Sequence, residues 1–166
     1  MEYLDIVDEQ GQPTGEIISR TLAHTEGIRH RTAHIWIVRR ENEHFQVLMQ
    51  KRAMSKDSFP GKYDTSSAGH IQAGDEPLAS GLRELAEELG IHAKPEDLAF
   101  AGCIHGNFAE EFHGKIFRDN EIAFVYVYQQ PVGIETLVLQ KEEVESVRWF
   151  DLEETYQNCR NHNTQF

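Results

Sequence analysis

Residues 3–7 are a mostly apolar, strand-like run, a turn-rich stretch follows at 8–15, and the chain returns at 16–18. That pattern predicts a β-hairpin at the start of the chain. A histidine-rich stretch follows, from His24 to His34. Residues 33–38 form an apolar run that reads as a buried strand, with 45–50 as its hairpin partner across 40–43. A polar loop at 55–63 leads to a short strand near 66–69. The clearest helix lies over 77–89. Asp75 is placed to cap it, Pro77 suits its first turn and Gly90 its end. Strands are expected near 99–104, 121–128 and 147–150, and a helix over 152–160. Strands and helices alternate irregularly, with hairpins among them. The expected class is therefore α/β, a mixed β-sheet with helices on its faces, folded as one domain over 1–166.

Charge narrows the partners. Acidic residues outnumber basic ones 28 to 16, for a formal net charge of −12. A duplex nucleic acid needs Lys and Arg to neutralise its phosphates, so no nucleic-acid partner is expected. No apolar run has the length of a bilayer span, and residues 1–5 lack the basic start of a signal peptide. A cytoplasmic protein with no membrane partner is the expectation. Cys103 and Cys159 have no metal-like spacing and are expected to be free, buried thiols, Cys103 acting as a small hydrophobe.

The helix over 77–89 carries the candidate chemistry. At about 100° per residue, Leu78, Leu82, Leu85 and Leu89 fall on one stripe, and Glu84, Glu87 and Glu88 fall on the other side. The three carboxylates stand at i, i+3 and i+4, where like charges repel. An acidic helix face is commonly only a solvated one. A divalent cation would turn this repulsion into a site, since hard cations such as Mg²⁺ prefer oxygen ligands.

The surroundings favour the second reading. Gly69 opens a turn-rich approach to the helix, and Arg83, Glu84, Leu85, Glu87, Glu88, Gly90 and Ile91 follow at fixed intervals. This resembles the Nudix box, a glycine loop leading into a helix that bears Arg-Glu-Leu-x-Glu-Glu-x-Gly. The resemblance implies a Nudix-type α/β/α sandwich and a hydrolase that cuts a diphosphate linkage in a small molecule with Mg²⁺ or Mn²⁺. It implies that Glu84, Glu87 and Glu88 ligate metal beside the Gly69 carbonyl, and that Arg83 orients the carboxylates. Glu87, Glu88 and Glu121 are all candidates to take the proton of the attacking water. A homodimer is an assembly the family also uses. One departure stands out: the family's glutamate ahead of the arginine is Asp75 here, beside Glu76, so an altered brace on Arg83 is expected.

Within that superfamily, residues 3–128 are similar to type I isopentenyl-diphosphate isomerase, most closely in Ala53-Met54-Ser55-Lys56 through Phe59-Pro60-Gly61 and on to Gly69-His70. The isomerase has a catalytic cysteine directly before its Gly-His pair; Ala68 stands there in this chain, so isomerase chemistry is expected to be absent. The likeness implies a second metal site from His24, His30, His70, Asp119 and Glu121, with one residue fewer between the first two histidines. Such a nitrogen-and-oxygen set suits Mn²⁺ or Zn²⁺, although each histidine alone also suits a loop or the core. Arg52 and Lys56 match diphosphate-binding residues, and both are chemically suited to that task; Arg29 and Arg31 are weaker candidates. Trp36, Tyr63, Phe108, Phe112 and Phe117 could stack a base, but core packing explains them as well. Two rival readings remain open: the isomerase itself, and a module that binds a nucleotide diphosphate without cutting it.

Overall fold

The structure, a computed structural model, describes residues 1–166. The expected N-terminal hairpin forms from β1 (Tyr3–Val7) and β2 (Pro13–Ser19), paired antiparallel as a small separate sheet. It is tied to the rest of the chain where the Ala73 amide donates to the Tyr3 carbonyl. A short helix that the apolar pattern does not reveal comes next, α1 (Arg20–Glu26). Only its ends carry a sequence signal. The Ser19 hydroxyl accepts from the Leu22 amide, and Gly27 closes the helix at φ 72°, a left-handed conformation that glycine adopts without strain.

The main sheet has seven strands. Its path runs β5 (Tyr63–Asp64), β4 (His44–Arg52), β3 (His30–Glu41), β8 (Lys115–Tyr128), β7 (Leu98–Phe112), with β6 (Ser67–His70) paired to β3 and β9 (Val144–Asp151) to β4. The β3–β8 pair is parallel and the others antiparallel, so the sheet is mixed as expected. β3 is shared along its length: residues 32–35 pair with β6, and residues 37–41 with β4.

β7 and β8 run much further than their apolar segments suggest. They meet at His113 and Gly114, whose φ values of 51° and 76° match the positive dihedrals of a two-residue hairpin turn. β8 joins β3 only from Glu121 onward, so the polar outer half of the hairpin stands out as a two-stranded arm.

Helix α2 (Pro77–Leu89) packs across β3 and β6, while α3 (Leu152–Arg160) lies on β4 and β9. Leu85 and Leu89 are fully buried with Ile35, Ile37, Leu48 and Val144, and Leu78 and Leu82 pack at the edge of this core. Each fully buried leucine contributes roughly 1.5–3 kcal/mol. The helix ends at Gly90 as expected, but Asp75 does not cap it. Glu76 is the N-cap residue and makes no side-chain cap, and Asp75 sits one position too early, its amide bonded to the Gln72 carbonyl. The cysteines also differ from expectation: both are free, but both are exposed. Cys103 lies on β7, an edge strand that pairs with β8 on one side only. No helix is long and apolar enough to cross a membrane.

Candidate functional site

Two of the α2 carboxylates, Glu84 and Glu88, lie against β6, which runs alongside the helix. Backbone and carboxylate approach so closely that a methyl group at Gly69 would overlap the Glu84 carboxyl carbon. Any larger residue there would have to displace the Glu84 carboxylate. Glu88 is buried, and one of its oxygens accepts from the Ser67 hydroxyl at 2.7 Å and the Ala68 amide at 3.0 Å. Burial pushes its carboxyl up to about 7 against those two hydrogen bonds. Glu84 is pushed up to about 8, first by burial and then by Glu88. Glu87 is the exposed member of the three.

Arg83 donates to Glu84 at 3.1 Å and to the His70 carbonyl at 3.3 Å, which joins the carboxylate helix to the end of β6. The altered brace is now defined: Arg83 pairs with neither Asp75 nor Glu76. The approach to the helix is held instead by Arg31, which pairs with Asp5 at 3.1 Å and donates to the Asp75 carbonyl, while the Gly74 amide donates to Asp5. Arg29 donates to the Val7 carbonyl. Neither Arg29 nor Arg31 lines the main pocket, so both drop out as phosphate binders.

Opposite the helix, the expected histidine cluster is assembled. The β3–β8 register sets His30 beside Glu121, and the β3–β6 register sets Thr32 beside His70. Helix α1 delivers His24. His24, His30 and His70 place ring nitrogens within 4.8 Å of one another, and so do the ligand atoms of His30, Asp119 and Glu121. His24 and His30 each bring Nε2 to 3.5 Å from Asp119 Oδ1. His30 Nδ1–H donates to the Ile28 carbonyl at 2.9 Å, which leaves the Nε2 lone pair facing the cluster. Both that Nε2 and Asp119 Oδ1 are buried without a hydrogen-bond partner. Burial holds His30 and His70 below the usual histidine range and raises Glu121 to about 8, with Asp119 adding to the latter. Buried donor atoms of this kind, unpaired and converging, fit a divalent cation.

One pocket of about 520 Å³ joins the two faces. It is lined by Gly69, Arg83, Glu84, Glu87 and Glu88, by His24, His70, Asp119 and Glu121, and by Arg52 and Lys56. Of the carboxylates, histidines and diphosphate-binding residues assigned to the site from sequence, His30 alone does not line it. Arg52 and Lys56 are already engaged: Arg52 holds Ser58 and pairs with Asp64 at 3.1 Å, and Lys56 contacts Glu143.

Arg20, Glu143 and His34 are among the pocket residues that the sequence reading did not single out. Arg20 pairs with Asp57 at 2.9 Å, and Glu143 partners Lys56. His34 sits 3.7 Å from Glu121 and is held low by burial. The two-residue spacing of His30, Thr32 and His34 on a strand was a usable signal for the last.

The chain has clear relatives among known proteins. The NUDIX domain family matches residues 28–165. The chain is 41% identical over 153 residues to an uncharacterized Nudix hydrolase of Clostridium acetobutylicum, covering 92% of this chain and 71% of that protein. It is 40% identical over 159 residues to Nudix hydrolase 3 of Arabidopsis thaliana, covering 95% of this chain but 20% of that longer protein. Among solved structures, DR0079 from Deinococcus radiodurans superposes with a TM-score of 0.70 at 19% identity, over 96% of this chain and 90% of that one. The NUDIX domain of Shewanella oneidensis NrtR, complexed with ADP ribose, gives 0.59 at 16% identity, over 84% and 88%.

Proposed function

Since the chain belongs to the NUDIX domain family, we propose that it is a pyrophosphohydrolase that uses Mg²⁺ or Mn²⁺ to cleave the diphosphate linkage of a nucleoside diphosphate derivative or a similar small substrate. The observation that carries this is the carboxylate face of α2. Glu84 and Glu88 are buried against Gly69, Ser67 and Ala68, with Glu87 beside them, in the pocket that also holds Arg52 and Lys56. A module that only bound its ligand would have no need of so costly a cluster of acids.

The residues divide the work. Glu84, Glu87 and Glu88 hold metal with the Gly69 carbonyl, and Arg83 fixes Glu84. When bound, the cation supplies positive charge to the diphosphate oxygens and makes a coordinated water more acidic. Arg52 and Lys56 exchange Asp64 and Glu143 for phosphate oxygens. One of Glu87, Glu88 and Glu121 accepts the proton of the attacking water. His24, His30, His70, Asp119 and Glu121 hold a second divalent ion, for which the unpaired His30 Nε2 and Asp119 Oδ1 speak.

That second set supports a reading in the isomerase-like branch, but Ala68 removes the acid–base group an isomerase needs. Cys103, exposed on β7 and outside the pocket, does not replace it. The test is a panel of diphosphate compounds incubated with Mg²⁺ or Mn²⁺, with products weighed by mass spectrometry. Cleavage at the diphosphate is expected. Binding without cleavage of any compound would favour the sensor.

A further inference from the structure

The tip of the β7–β8 arm grips the loop that carries Lys56. That loop, residues 53–62, leaves the sheet after Arg52 and returns at Tyr63. Its far end is tied back to Arg52, whose amide donates to the Lys62 carbonyl and whose carbonyl accepts from the Gly61 amide. The middle of the loop is also held by the arm. At the turn of the arm, the His113 ring donates from Nε2–H to the Lys56 carbonyl at 2.8 Å. One residue earlier, Phe112 packs edge-on against Phe59 at 4.7 Å between centroids, and Phe108 does the same at 5.4 Å. Arg20 adds a pair with Asp57 from the α1 side, but that pair is partly exposed and contacts of that kind contribute little.

Phe59 carries the mark of this grip. Its φ is 45°, a left-handed backbone that a bulky side chain rarely adopts. Such a conformation persists where the surroundings over-determine it. Here the surroundings include the two arm rings against which the Phe59 ring packs. The arm is itself braced. On its β8 side Arg118 donates to the Thr25 carbonyl at 2.9 Å, and Asn120 to the Gly27 carbonyl at 3.3 Å, both at the end of α1. The arm thus has a second bearing beside the sheet from which to hold the loop.

We propose that His113 and Phe112 are positioning residues for Lys56, and that the tip of the arm latches the loop so that the ammonium is kept directed at the diphosphate. The proposal rests on the hydrolase reading for its diphosphate, while the latch is a contact between arm and loop. Lys56 lines the pocket; His113 and Phe112 do not. Both therefore act through the loop and not on the ligand. The hydrogen bond from His113 falls on the carbonyl of Lys56 itself, so it sets the backbone from which the ammonium reaches.

The test is calorimetric binding of methylenediphosphonate, whose carbon bridge cannot be hydrolysed, to the full chain with Mg²⁺. His113→Gly removes the donor and keeps the turn, because glycine adopts the φ of 51° found there without strain. Phe112→Ala removes the ring, and Phe112→Tyr keeps it. The parent is expected to bind, and Lys56→Ala to bind about tenfold more weakly or worse, as for a lost hydrogen bond to a charged group. His113→Gly and Phe112→Ala should each weaken binding by about threefold or more, as for a lost neutral contact. Phe112→Tyr should match the parent. In a Lys56→Ala background, His113→Gly should have no further effect, because a residue that acts through another loses its effect once that one is gone. The rise of the melting temperature with Mg²⁺ should stay with the parent in His113→Gly, since no carboxylate or histidine of the pocket is touched. The latch is overturned by His113→Gly and Phe112→Ala proteins that bind as the parent does, or by equal weakening from His113→Gly with and without Lys56. A lost Mg²⁺ response in His113→Gly overturns it too, as a general loosening. The hydrolase reading fails differently: a parent that does not bind, or a Lys56→Ala protein that binds undiminished, removes the diphosphate site itself and the latch with it.

Discussion

The two faces of the pocket are built on opposite principles. The carboxylate face comes from one helix, and its three acids are neighbours because the chain turns every 3.6 residues. The histidine face comes from α1, β3, β6 and β8, and exists only because the strands pair in register, His30 beside Glu121 and Thr32 beside His70. Their electrostatics also run in opposite senses. Burial drives the acids toward their neutral form, at about 8 for Glu84 and about 7 for Glu88, and also drives His30 and His70 toward neutrality, by lowering them. A pocket lined this way is poorly suited to itself and well suited to cations.

The largest expected effect falls on the carboxylate face. Glu87→Gln keeps size and helix propensity but removes one charged ligand. On an identified substrate, turnover should fall at least about a hundredfold, by analogy with the loss of other precisely placed catalytic groups. The melting temperature should stay close to that of the parent, because Glu87 is exposed. Turnover within a few-fold of the parent would remove Glu87 from the site.

Metal response separates the two faces next. Mg²⁺ or Mn²⁺ should raise the melting temperature by binding the folded state. Glu84→Gln should blunt the Mg²⁺ response more than the Mn²⁺ response. His70→Ala should do the opposite and weaken Mn²⁺ binding by about tenfold or more. Equal responses in the two variants would mean that the faces do not bind separate ions.

How much of this was readable beforehand follows the same division. The α2 stripe of leucines, the i, i+3, i+4 acids and Gly69 are local patterns, so the sequence alone sets the three acids side by side on the helix. The histidines could be named only through resemblance, because nothing local says that β3 and β8 pair in parallel. Helix α1 was missed since its seven residues are too short for an apolar period, although Ser19 and Gly27 marked its ends. The outer parts of β7 and β8 were missed because they form an arm with little core to bury. The Asp5–Arg31 brace lay hidden for the same reason as the histidines, its partners being 26 residues apart.

A smaller effect is expected in the dependence of metal-free stability on pH. Glu84 and Glu121 are held up to about 8, from an ordinary value of 4.5. An acid raised in the folded state contributes stability that is full below its unfolded value and is lost as pH rises through the folded one. His30 and His70 are lowered, so their contribution is full above the ordinary 6.5 and is lost as pH falls. From pH 6.5 to 8.5 only the acids act, and the melting temperature should fall. Glu84→Gln should flatten that fall, whereas His70→Asn should flatten only the acid side of the profile. A parent whose stability rises over pH 6.5–8.5 without metal would contradict the carboxylate assignment.

The smallest expected effect is none at all, and it concerns the one position where the two faces could have combined into different chemistry. Isomerising an allylic diphosphate adds a proton at one carbon and removes one from another, so two acid–base groups must flank the hydrocarbon. Glu121, on the histidine face, could serve as one. The second would have to stand near Ala68, on the β6 strand that supports the carboxylate face. There the methyl group carries no proton, and the adjacent Ser67 hydroxyl is occupied in donating to Glu88. Prenyl diphosphates could still anchor on Arg52, Lys56 and metal, so binding does not decide the matter. Isopentenyl diphosphate incubated in heavy water with the protein and Mg²⁺ or Mn²⁺ should take up deuterium no faster than without protein. Uptake above that control, abolished by Glu121→Gln, would mean that another group delivers the proton and would put isomerisation ahead of hydrolysis.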